Sequence, residues 1–110
     1  MDRQETGESA TRRLIRLRSW GICERCGVKP ASEAAHRVGR GVGGNWDPSN
    51  LLDLCHDCHA ENHREPARAY REGFHLQSHQ DPLIEPVEIA HRGLRIRVLL
   101  DNLGGCSIFE

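Results

Sequence analysis

The 110-residue chain has little of what builds a large core: apolar residues make up 37% and aromatics 5%, the latter being Trp20, Trp46, Tyr70, Phe74 and Phe109. At this length one domain is expected, and a core this thin calls for an extra staple. No apolar run approaches the ~18 residues a membrane span needs, and the first ten residues (MDRQETGESA) carry no apolar stretch of the signal-peptide kind. Insertion and secretion are therefore not expected; the reading is a soluble cytoplasmic protein with no membrane partner. Lysine is almost missing, fourteen of the fifteen basic side chains being arginine. The planar guanidinium fork suits phosphate, and a solvated basic face gives the same bias.

Net charge is also close to zero, at −1, which by itself selects no partner. Its distribution is uneven. Residues 1–40 hold nine basic side chains against five acidic, a net +4, while 41–110 hold six against eleven, a net −5. The chain is a dipole with a basic front.

Residues 1–10 show no hydrophobic period and read as a flexible leader. From Thr11, Leu14, Ile15 and Leu17 alternate with Arg12, Arg13, Arg16 and Arg18, which predicts a short basic amphipathic helix over 11–18 that Ser9 or Thr11 caps and Gly21 stops. Two placements stand: docked on the core, or lying against a polyanion. Residues 33–38 read as a strand, 39–49 (GRGVGGNWDPS) as a loop, 50–54 (NLLDL) as a second strand, and 55–64 as a helix. Pro66 opens a further helical segment that Gly73 ends. Alternation over 87–90 and 94–98, around His91-Arg92-Gly93, signals a β-hairpin.

Two Cys-x-x-Cys pairs, Cys23/Cys26 and Cys55/Cys58, stand with 28 residues between them. In a reducing compartment such thiols are metal ligands, and four at this spacing close a tetrahedral zinc site. A redox motif would want a βαβ context that is missing, and the compartment disfavours disulfides. Structural zinc also answers the shortage of core, because its binding free energy becomes folding free energy. Cys106 reads as a spectator. His59 and His63, four apart on the predicted helix, face the same way and can chelate one divalent ion; the alternatives are a polar helix face or a supplement to the zinc. His56 reads as exposed. His75, His79, His91 and Trp46 receive no role.

The ordered run Ala35-His36-Arg37, Gly43-Gly44, Asn50-Leu-Leu-Asp-Leu-Cys55-His-Asp-Cys58-His59 and His63 resembles the HNH endonuclease family, particularly small phage-encoded members with a four-cysteine zinc site. The likeness spans about residues 20–65; a weaker one extends to Pro86-Val-Glu-Ile and Val98-Leu-Leu-Asp101-Asn102. The resemblance implies a small zinc-stapled α+β domain: a ββα-metal, treble-clef-like core with an N-terminal basic helix and a C-terminal hairpin. The division would be a leader at 1–10, a nuclease domain at 11–75 and an extension at 76–110. It further implies metal-dependent hydrolysis of DNA phosphodiesters. His36 would be the general base and Asn50 the brace of its loop. His59 and His63 would hold a second divalent ion (Mg2+, Mn2+, Ni2+ or Zn2+), His59 counting among the catalytic residues.

DNA would meet Arg37 and Arg40 beside the base, and Arg12, Arg13 and Arg16 on the helix. A phage setting implies genome processing or packaging, with terminase proteins as partners and the host cytoplasm as location. One departure stands out: the residue before the base, usually a metal-ligating Asp or His in this family, is Ala35. Three outcomes follow: a weaker ion site, substitution by Glu33 or Asp53, or a degenerate, non-catalytic zinc module that binds nucleic acid or a protein.

Overall fold

A computed structural model describes residues 7–91 and 93–110. The first helix, α1, runs Gly7–Ser19, starting earlier than its apolar period because Glu8 pairs with Arg12 one turn on, at 2.8 Å. The expected leader is thus helical over 7–10, and 1–6 lie outside the described residues. Neither Ser9 nor Thr11 is the cap: Thr11 is buried, its hydroxyl bonding the Trp46 carbonyl. The stop agrees with expectation, Trp20 and Gly21 both turning left-handed after Ser19, with φ of 61° and 76°.

Two antiparallel strands follow, β1 (Glu33–His36) and β2 (Leu51–Leu54), in a register that sets His36 opposite Leu51. Their connection is irregular apart from single 3-10 turns at Arg40–Val42 and Pro48–Asn50. Helix α2 (His56–Arg64) starts directly after β2, with Cys55 as its cap, and α3 (Pro66–Glu72) follows one residue later, closed by left-handed Gly73. The predicted hairpin is β3 (Val87–His91) and β4 (Leu94–Leu100). A third strand, β5 (Cys106–Ile108), adds to β4 and was not foreseen, since all three of its residues are exposed.

One buried cluster joins these parts. Cys23, Cys55 and Cys58, the strand residues Ala35, Leu52 and Leu54, and the helical pair Ala69 and Phe74 pack with Val87, Ile89, Val98 and Leu100. Each fully buried large apolar side chain contributes about 1.5–3 kcal/mol. Segment 76–110, expected as an extension, is therefore a wall of the same core. On the other side, α1 is pinned to β2 by a buried polar network. Arg18 donates to both oxygens of Glu24 at 2.8 Å and to the carbonyls of Pro48 and Leu51, while Glu24 also accepts the Asp53 amide at 2.9 Å. The helix thus docks on the core while keeping Arg12, Arg13 and Arg16 exposed. No helix among the described residues is long and apolar enough to cross a membrane.

Candidate functional site

Residues 22–30 fold back on themselves: Ile22 bridges Pro30, the Cys23 amide donates to Lys29 at 2.8 Å, and Gly27 takes a positive φ of 70°. This presents Cys23 and Cys26 toward the start of α2, where Cys55 and Cys58 lie. All four Sγ atoms are within 4.8 Å of one another. Backbone amides aim at three of the sulfurs: Arg25 and Cys26 at Cys23, Lys29 at Cys26, and Cys58 at Cys55, at 3.4–3.5 Å. N–H groups directed at sulfur favour the thiolate, so four sulfurs in this spread fit a metal ion such as zinc. Burial pushes the Cys58 thiol up to about 12 and raises Cys23 too. At Cys26 burial works upward, but amides of Lys29 and Val28 and the neighbouring thiols bring it down to about 7. Among the described residues no other group of three or more His, Cys, Asp or Glu converges as closely.

A second site lies where the end of β1 meets α2 and α3. His36, at the end of β1, shares a cleft of about 310 Å3 with His63, Tyr70 and His75. The His36 Nε2 is buried and without a hydrogen-bond partner among the described residues, and its ring meets the edge of Trp46 at 4.6 Å between centres. Burial lowers its pKa below the ordinary imidazole value, and the charges of Arg40 and Arg12 lower it further. The loop behind it is closed by Asn50, which is 1% exposed. Its Oδ1 accepts the Val38 amide at 2.8 Å, and its Nδ2 donates to the carbonyls of Val38 and Asn45 at 3.1 and 3.0 Å.

His59 and His63 stand ring to ring on α2, 5.4 Å apart, and His75 continues the row 5.2 Å beyond His63. Glu33 joins His59 Nδ1 at 2.7 Å and His56 Nδ1 at 2.8 Å, and these two bonds hold its carboxyl below the usual carboxylate range. An ionised Glu33 can only accept, so His59 Nδ1 is the donor in this bond. Burial, then the neighbouring His63 and His59, also lower His75.

The arginines divide. Arg37 is not available to phosphate: it is 2% exposed and donates to the carbonyls of Gly73, Ser49, Pro82, Glu85 and Pro86. Arg40 and Arg12 are exposed and flank Trp46, 5.7 and 5.1 Å from its ring centre. Arg12, Arg13 and Arg16 line a separate groove of about 350 Å3 against Ala34 and Asp53. Asp53 does not replace the missing ligand, because it is buried and held by Arg16 and Ser19 at 2.7 Å. Glu33 bonds His59 and His56 on α2, and neither it nor His59 is among the residues that line the cleft of His36 and His63. Ala35 is buried in the core cluster and brings no donor. His56 is exposed, as expected, though tied to Glu33. Sequence reasoning passed over Glu33 as the orienting group of His59, and over Trp46 and His75; only the folded chain brings Glu33 to His59, Trp46 to His36 and His75 to His63. No family model, curated protein or solved structure matches the chain.

Proposed function

We propose that the chain is a metal-dependent DNA endonuclease of the HNH type, with β1, the 37–50 connection, β2 and α2 as its ββα-metal unit. The observation that carries the reading is the His36 imidazole, buried at Nε2 without a partner, in one cleft with His63 and beside a loop that Asn50 ties at both arms. A neutral ring nitrogen that nothing in the protein occupies suits a general base.

His36 Nε2 takes a proton from water as the water oxygen attacks phosphorus. The bond from phosphorus to the 3′ oxygen breaks, leaving a 5′ phosphate and a 3′ hydroxyl once that oxygen is protonated from solvent. Asn50 keeps the base in place by fixing the backbone after it. His59 Nε2 and His63 would hold the divalent ion, with Glu33 orienting His59 in the way carboxylates orient metal-binding histidines. When bound, the ion supplies Lewis-acid stabilisation at the scissile phosphate. Arg40 and Arg12 lie where a phosphate backbone would pass the cleft, and contacts of this kind position a duplex without reading its sequence. The resemblance to phage members extends the proposal to genome processing or packaging beside terminase.

Supercoiled plasmid with added Mg2+, Mn2+, Co2+, Ni2+ or Zn2+ tests the reading. The wild type is expected to nick, and His36→Ala to be slower by about a hundredfold or more, the usual worth of a general base. If neither protein cuts with any ion while both stay folded, the non-catalytic zinc module takes its place, a reading that the lack of a donor at Ala35 favours.

A further inference from the structure

The general base uses one side of the cleft, and the rest of the lining is of a different kind. From the β1 side come His36 and Val42; from α3 and the turn after it come Pro66, Tyr70 and His75. Val42 is 60% exposed and Tyr70 44%, large apolar side chains left in water along one hollow. Such surface is ordinary when scattered and informative when it lines a pocket. The Tyr70 and His75 rings meet edge on, 5.5 Å between centres, so the pair is not stacked on itself. No side-chain hydrogen bond engages either of them among the described residues.

This lining suits a flat ring, whereas a phosphate wants cations. Those stand beside His36. Arg40 is exposed and makes no hydrogen bond or ion pair among the described residues, and it is close enough to His36 for its charge to be felt there. An aromatic side next to a cationic one is the division that a nucleotide requires. The two sides are also held at a fixed separation. The amides of Phe74 and His75 both donate to the Ala69 carbonyl, at 2.9 and 3.1 Å, and the Leu76 amide donates to the carbonyl of Arg37, next to the base, at 2.9 Å. Gly73 makes the turn possible: a Cβ there would lie 2.1 Å from the Pro86 carbonyl oxygen.

We infer that the cleft takes the base of one unpaired DNA nucleotide, stacked on Tyr70 with His75 at its edge, while the adjoining phosphate lies at His36 and Arg40. The substrate class is then single-stranded or locally opened DNA, an inference that rests on the nuclease reading of the cleft. A base within a duplex is covered on both faces by its neighbours and reaches a pocket only by leaving the stack. The cleft, at about 310 Å3, lies at the lower limit of small-molecule sites, about 300–1,000 Å3, and admits one nucleotide. A neutral His75 ring offers one donor and one acceptor to the edge of that base.

The test uses the full chain loaded with zinc and no further divalent ion, so that nothing is cut. The probes are a short strand of thymidines carrying one 2-aminopurine, and the same strand annealed to its complement, each followed by the anisotropy of a terminal dye. The single strand is expected to bind at least about fivefold more tightly than the duplex, the reverse of what charge density alone gives, and its 2-aminopurine emission should be quenched by stacking. Tyr70→Ala should lose both the preference and the quenching; Tyr70→Phe, which keeps the ring, should retain both. Equal or tighter binding of the duplex, no binding of either form, or a Tyr70→Ala protein that behaves as wild type would each overturn the inference. Plasmid nicking that depends on His36 decides the nuclease reading separately: nicking retained alongside any of those results removes only the unpaired nucleotide, and nicking absent as well removes both.

Discussion

A single imidazole sets the pH behaviour expected of the cleft. Burial and then the nearby guanidinium groups of Arg40 and Arg12 lower the pKa of His36, so the neutral form persists below the ~6.5 of a free histidine. Nicking at saturating metal should therefore be flat through neutrality, with its acid limb below pH 6.5. A limb above that value would contradict His36 as base. The stability term has the same sense: the unfolded chain takes up this proton first, so the contribution is whole above pH 6.5 and declines as the medium is acidified. Arg37 illustrates the opposite case of a residue whose neighbour in sequence misleads. Next to the base it reads as a phosphate contact, but five carbonyls surround it, and burial, then the charge of Arg18, bring its pKa to about 10. It stays charged at neutral pH. Arg37→Met strands those carbonyls and should cost at least about 3 kcal/mol in chemical denaturation of the zinc-loaded protein; a cost below about 1 kcal/mol would mean that water replaces the guanidinium.

At the level of elements, what the sequence disclosed depended on local punctuation. Helix α3 has the bounds that Pro66 and Gly73 mark, and the hairpin follows its apolar alternation; β1 and β2 lie within the expected 33–38 and 50–54, β1 ending two residues early at His36. The start of α1 and the whole of β5 left no such mark, because Gly7–Ala10 is polar and Cys106–Ile108 faces solvent. The cysteine spacing was legible because a chelate is a local constraint twice over, one pair in the 22–30 turn and one at the cap of α2. The site of His75 was not, since it depends on Gly73 turning against Pro86. For the cysteine cluster the expected outcome is proton-coupled metal uptake. Burial holds Cys58 at about 12 and Cys23 above its ordinary value, so at pH 7 zinc binding should release at least about two protons, measured by calorimetry in buffers of different ionisation enthalpy. Release of fewer than two would mean that these two thiols do not both close on the ion.

Across the whole molecule the sequence-based division at residue 75 does not match the packing. Val87, Ile89, Val98 and Leu100 share the cluster that contains Cys23, Cys55 and Cys58, and the Ala90 amide donates to the Glu24 carbonyl at 2.8 Å. A shortened chain ending at residue 75 should therefore lose its cooperative thermal transition even with zinc supplied; retention of a sharp melt would restore the hairpin to the status of an appendage. The charge asymmetry takes on a spatial meaning as well. Arg12 and Arg40, 28 positions apart in sequence, both lie over the ring of Trp46, so part of the basic front is gathered beside His36.

Gly27 abuts the hairpin so closely that a Cβ there would come within 2.8 Å of that of Ala90. This flush seam leaves no slack between the cysteine turn and β3. A side chain of any size at position 27 would therefore act as a wedge, forcing the knuckle and the far sheet to part or the turn to give way.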